Sequence, residues 1–276
     1  MQKAASTILG TLLSVFGALW LIVEVTSFFA EEENATRIQG YWYVFLTVGV
    51  AISVVRLWPK NRFCFLVYDR DVSVEITVGD IFKQDGPIVI GSNTRFETNP
   101  AYIAENSIQG KFVSQCCSDL KSVNQQIESQ TSTLPVNFGT TVTVRGKSRI
   151  GYFCAVAEMN QSGIAGSTLE NLRLALGGLW AYVSESAEKS IINVPILGSG
   201  YSRVSASREE LVREIVLSFM AAIAEKTFCD GIRIVVHSKD LRKYNIEIEE
   251  LAKFIEYNCR YAISRPHVQG GGTEES

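Results

Sequence analysis

Hydrophobic positions along this chain follow two regimes. In segments 8–29 and 41–57 they run almost unbroken, whereas from residue 61 onward they form short runs and stripes separated by polar turns. Segment 72–78 alternates apolar and polar side chains and predicts a strand running into Gly79-Asp80-Ile81. Ile88-Val89-Ile90 predicts a short buried strand ending in Gly91-Ser92-Asn93, and 94–106 reads as a loop. Strands are expected over 134–144 and 150–157, across the turn Arg145-Gly146-Lys147-Ser148. Further strands are expected at 191–197 and 232–236. Helical stripes fall at Ile108, Phe112 and Leu120 within 107–128, and at Leu169, Leu172, Leu176, Leu179, Trp180 and Val183. Two more follow, at Leu211, Ile215, Phe219 and Ile223 within 207–226, and at Leu251 and Ile255 within 246–257. Ser167 with Glu170, and Ser207 with Glu210, have capping-box spacing. Strands alternating with helices predict an α/β fold, a mixed or parallel sheet layered between helices.

The first regime reads as a membrane hairpin. Segment 8–29 carries one charge, Glu24, and at about 1.5 Å per residue is long enough to cross about 30 Å of hydrocarbon. Segment 41–57 is shorter, at the lower limit for a span, and is bracketed by Tyr41, Trp42 and Tyr43 at one end and Trp58 at the other, as an aromatic belt requires. Lys3, Arg56, Lys60 and Arg62 flank the pair, while Glu31, Glu32 and Glu33 lie between the spans, so the positive-inside rule places both termini in the cytoplasm. The run is too long for a cleaved signal peptide, and a second apolar segment follows it. Glu24 has two readings: an interfacial carboxyl, or a polar contact in an assembly of several hairpins. Two helices alone cannot enclose a channel, so any permeabilising role requires oligomers. The organisation expected is a transmembrane hairpin over 1–60, a soluble domain over 61–262 and a disordered tail over 263–276.

Composition narrows the soluble domain's chemistry. A net charge of −3 without a basic stripe argues against nucleic-acid partners. Cys64, Cys116, Cys117, Cys154, Cys229 and Cys259 show no zinc-type spacing, and with only His237 and His267 to join them a metal site is not expected. The cysteines read as buried thiols in a reducing compartment, the alternative being a catalytic Cys with His237 beside it.

Candidate chemistry gathers at strand ends. The stretch 191–210, IINVPILGSGYSRVSASREE, reads as a buried strand, a glycine-rich loop and a helix start, and backbone amides in such a loop form an anion site. Gly198, Ser199, Gly200 and Tyr201 are its candidates. Asp80 with Ile81, and Asn93, lie just beyond two other strands, where an α/β sheet keeps its ligand. The plainer readings are a tight connection for the glycines, a turn residue or helix cap for Asp80, and an Asx turn for Asn93.

Taken in order, these motifs from 72 to 257 resemble a macro domain, the α/β fold that binds ADP-ribose, and with the hairpin the chain resembles the membrane-anchored macro-domain effectors of Thoeris anti-phage defence. The resemblance implies that Asp80 accepts a hydrogen bond from the adenine amino group beside the Ile81 amide. It also implies that Asn93 faces the distal ribose, that Gly198, Ser199 and Gly200 wrap the diphosphate, and that Tyr201 covers the distal ribose. The implied ligand is an ADP-ribose derivative, an amino-acid conjugate such as histidine-ADP-ribose or a cyclic form, made by a TIR-domain partner enzyme, with no other cofactor. Ligand binding would drive homo-oligomerisation and damage to the bacterial inner membrane. Hydrolytic macro domains resemble one another in a glycine-rich run with a catalytic residue shortly after the Asn-bearing strand. Here Thr94-Arg95-Phe96-Glu97-Thr98-Asn99-Pro100 stands there instead, which points to binding without turnover. Asn106-Ser107-Ile108-Gln109-Gly110-Lys111-Phe112 is the candidate for an altered ligand loop, with Arg95 or Lys111 as a cation for phosphate. A membrane-tethered hydrolase and a passive ADP-ribose anchor are the alternatives.

Overall fold

A computed structural model describes residues 2–29, 40–57, 60–160, 164–186, 189–200 and 203–261. The chain divides into two units, Met1–Lys60 and Asn61–Ser276. The anticipated tail, Trp58 and the acidic run at 31–33 lie outside the described residues.

Among its described residues the first unit holds two apolar helices, α1 (Gln2–Phe29) and α2 (Trp42–Leu57). Within α1, Leu9–Phe29 is long and apolar enough to cross a membrane. Helix α2 stands where the second span was expected, but its 16 residues make about 24 Å at 1.5 Å per residue, short of that length. The two helices approach closely at Gly49, where a Cβ would lie 2.6 Å from the Phe16 ring. Glu24 lines an apolar cavity between them with Trp20, Val23, Trp42 and Phe45.

The second unit is built on one mixed sheet in the order β1-β2-β8-β7-β3-β5-β4. Its strands are β1 (Arg62–Leu66), β2 (Ser73–Val78), β3 (Ile88–Asn93), β4 (Thr141–Arg145), β5 (Ile150–Met159), β7 (Ile191–Pro195) and β8 (Gly231–Val236), with a short β6 (Ala165–Gly166) on β5. The inner strands β2, β8, β7, β3 and β5 are parallel, and β1 and β4 are antiparallel edges. Period-two alternation sends side chains to two cores. Val89, Tyr152, Cys154, Ile192 and Ile234 pack with helices α5 (Leu169–Ser186), α6 (Arg208–Glu225) and α8 (Ile248–Tyr261). Ile88, Ile90, Phe153 and Ala155 pack with α3 (Ile108–Cys116) and α4 (Leu120–Glu128).

Several boundaries differ from the sequence reading. The stripe over 107–128 breaks into α3 and α4 because Asp119 caps a new helix, accepting from the Ser122 amide at 2.7 Å. The strand expected from 134 begins only at Thr141. Helix α5 is capped by Thr168, whose Oγ1 accepts from Asn171 N at 3.1 Å, and not by Ser167. Ser207 caps α6 as expected, accepting from Glu210 N at 3.1 Å. Strand β1, the short β6, the 3-10 turn Ile81–Lys83 and helix α7 (Ser238–Tyr244) were not anticipated.

Opposite the α5-α6-α8 layer, β2, β8 and β7 present a buried polar network. Glu75 Oε1 meets Arg233 Nε at 2.9 Å and Arg62 Nε at 2.8 Å. Arg233 Nη1 donates to Asn193 Oδ1 at 3.2 Å, and Asn193 Nδ2 donates to the Asp85 carbonyl at 2.8 Å. Arg149 donates to the Gln84 carbonyl. Loop 84–87 is thereby tied to the sheet directly after the Asp80 turn.

Candidate functional site

Five parallel strands aim their carboxyl ends the same way, so the segments that follow them meet at one end of the sheet. A cavity of about 570 Å³ opens there. Asp80, Ile81, Asn93, Gly198, Ser199 and Gly200 all line it. Residues far apart in sequence are thus gathered at one surface; Tyr201 lies outside the described residues.

Asp80 follows β2 and caps the short 3-10 turn Ile81–Lys83, its Oδ1 accepting from Phe82 N at 3.0 Å. Its Oδ2 makes no bond among the described residues. Asn93 closes β3 with a double Asx turn, Oδ1 accepting from Arg95 N at 2.9 Å and Glu97 N at 3.1 Å, which leaves Nδ2 for the cavity. The plainer readings of both residues are therefore realised, and each still has a polar atom to spare.

The loop after β7 needs glycine at 198, where φ is +80° and a Cβ would lie 2.8 Å from Val204 Cγ2. The Ser199 amide is turned inward, donating to the Ile196 carbonyl at 3.3 Å, as does the Ser199 hydroxyl. Ser199 N is thus committed to the turn and, contrary to the expectation of an open amide, not free. The amides of Gly198 and Gly200 make no bond among the described residues.

Asn106, Ser107, Ile108, Gln109 and Lys111 also line the cavity, so the anticipated ligand segment reaches it, but from Ile108 onward as the first turns of α3 and not as a loop. Ser107 caps α3 through Gly110 N at 3.0 Å, and Gln109 Nε2 donates to the Glu97 carbonyl at 2.7 Å. Of the two cations considered, Lys111 lines the cavity and Arg95 does not. The sequence reading missed His237, Lys239, Asp240 and Arg203 as lining residues. His237 follows β8 directly and caps α7, its Nδ1 accepting from Lys239 N at 3.2 Å. The rule that singled out Asp80 at the end of β2 would have found it at the end of the neighbouring strand.

None of the six cysteines lines the cavity. Burial pushes the Cys154 and Cys229 thiols up to about 12, which removes the thiolate a nucleophile needs. Cys64 is exposed, against the expectation that all six are buried.

The family model for the macro domain of Thoeris protein ThsA matches residues 74–237, a span holding every anticipated site residue. The chain belongs to that family. Among solved structures its macro domain is similar to a mutant of the Oceanobacillus iheyensis macrodomain, with a TM-score of 0.53 and 17% identity over 72% of this chain and 100% of that one. The same macrodomain with ADP aligns at a TM-score of 0.51 and 18% identity, again over 72% and 100%. At such identity the likeness is one of fold. None of the curated proteins matches the chain.

Proposed function

We infer that the macro domain binds an ADP-ribose-type nucleotide in this cavity and acts as a sensor. The observation that carries the reading is the convergence of Asp80, Asn93 and the Gly198-Ser199-Gly200 loop on one cavity of about 570 Å³, inside the usual range of roughly 300–1,000 Å³ for small-molecule sites. Asp80 Oδ2 suits an exocyclic amine. The Gly198 and Gly200 amides suit a diphosphate oxygen, with Lys111 as a cation lining the same cavity. That a related macrodomain was crystallised with ADP supports the same ligand class.

The macro domain binds without turnover. In hydrolytic relatives a catalytic residue follows the Asn-bearing strand; here Glu97 is folded onto its own loop, Oε1 accepting from Thr98 N at 3.0 Å and Asn99 N at 2.8 Å, and does not line the cavity. Membership of a Thoeris family supports a signal made by a TIR-domain partner, an ADP-ribose derivative such as histidine-ADP-ribose or a cyclic form. Helix α1, with α2 beside it as a shorter second span, anchors the chain in the bacterial inner membrane with both termini cytoplasmic. Nucleotide binding favours a homo-oligomer whose hairpins damage the bilayer. A ligand shifts that equilibrium only by its differential affinity for the assembled state.

The test is to incubate the purified full-length chain with ADP-ribose and with ADP-ribosyl conjugates, following binding by calorimetry, product by chromatography and mass by light scattering. Binding with unchanged ligand and a rise in mass supports the sensor. Released product would make the macro domain a hydrolase, and binding without a mass change would make it a passive anchor.

A further inference from the structure

The two edges of the sheet are treated differently. At the β4 edge, the hydrogen bonds to β5 use Val142 and Val144, so Thr143 and Arg145 turn their backbone groups outward. Two glutamines close them, Gln126 of α4 and Gln130 just past its end. Gln130 accepts from Thr143 N at 2.9 Å and donates to its carbonyl at 2.8 Å. Gln126 does the same for Arg145, at 2.8 and 3.3 Å. Each amide side chain imitates a neighbouring strand, and this edge is sealed.

At the β1 edge nothing comparable is present among the described residues. The bonds Val78 N to Asn61 O and Val67 N to Val72 O fix the register, so Asn61, Phe63, Phe65 and Val67 face β2. Arg62, Cys64 and Leu66 therefore present both N–H and C=O to the outside. Edge strands are commonly protected by an outward-pointing charge. Here the one charge, Arg62, is drawn onto Glu75 at 2.8 Å, leaving the exposed Cys64 and Leu66, which is 71% accessible.

From this asymmetry we propose that β1 is a pairing edge for a second copy of this chain, joined antiparallel about a two-fold axis through Cys64. The pattern is self-complementary. With Cys64 opposite its own copy, Arg62 falls opposite Leu66 of the partner strand, and every outward N–H faces an outward C=O. No like charges meet, and Phe63 and Phe65, which pack against the α5-α6-α8 core, continue their apolar row across the junction. The two sheets become one. This deepens the assembly part of the proposed function and needs no nucleotide: pairing at β1 gives a standing dimer on which ligand-driven association acts.

The purified full-length chain without nucleotide, treated with a mild copper oxidant and run on a non-reducing gel, tests it. A hydrogen-bonded antiparallel pair sets its Cα atoms about 5.5 Å apart, within disulfide range. The parent should form a covalent dimer that Cys64→Ser abolishes, the other five cysteines being buried. In the Cys64→Ser background Leu66→Cys alone should not crosslink, because in this register the two copies of residue 66 lie about 14 Å apart. Mixing it with Arg62→Cys in the same background should restore the dimer. No crosslink through Cys64, or equal crosslinking at every position, would overturn the pairing. Either result would leave nucleotide binding, measured separately by calorimetry, untouched.

Discussion

Asp80→Asn separates the ligand role of this residue from its structural one. The 3-10 turn is held by one oxygen, Oδ1, accepting from Phe82 N at 3.0 Å. Asparagine caps about as well as aspartate, so its carbonyl oxygen keeps that bond and the turn survives. The substitution takes away the second oxygen and the negative charge, which is what an adenine amino group would use. A hydrogen bond to a charged acceptor contributes about 1.5–3 kcal/mol, so the dissociation constant for ADP-ribose should rise about 10- to 150-fold. Calorimetric titration of the full-length chain measures it, with thermal unfolding as the control for the fold. Asp80→Ala should lose the same affinity and in addition about 1 kcal/mol of stability with the cap. Equal affinity in parent and Asp80→Asn would remove Asp80 from the binding site.

Three further perturbations follow from the geometry. Gly198→Ala forces a side chain into a left-handed conformation against Val204 and should cost about 1–2 kcal/mol, read as a lower melting temperature, together with weaker nucleotide binding; Gly200→Ala, with no described atom within 4 Å of its Cβ, should leave the melting temperature unchanged. Glu75→Ala strips Arg233 of its buried counter-charge and should cost about 3–5 kcal/mol by urea denaturation, an unchanged midpoint contradicting the network's role. Burial raises Cys116, lifts Cys117 to about 11, and takes Cys154, Cys229 and Cys259 to about 12, so maleimide at pH 8 should modify native protein at Cys64 alone; rapid labelling of a second thiol would contradict the packing.

Strands β2, β3 and β7 were legible because each shows either a period-two pattern or a short β-branched run that leads into glycine, asparagine or aspartate. The helices α5, α6 and α8 were legible from their apolar stripes. Strand β1 was not, because Arg62, Cys64 and Leu66 face outward at an edge and its pattern merges with the apolar segment before it. Helix α7 was not, since none of its residues is buried and no stripe exists to find. The site was legible as strand ends, which sequence order supplies. What sequence could not supply was adjacency: β8 lies between β2 and β7, and only that order brings His237 beside Asp80 and Ser199. Nor does sequence say which amides a loop consumes internally, and the turn of Ser199 N onto Ile196 O decides which donors remain.

The most direct test of the account is a crystal structure of the protein soaked with ADP-ribose. Nucleotide density is expected in the cavity at the carboxyl ends of β2, β7 and β8, with the adenine edge at Asp80 Oδ2 and the diphosphate against the amides of Gly198 and Gly200. A saturating soak that leaves that cavity empty, or places the nucleotide elsewhere, would contradict it.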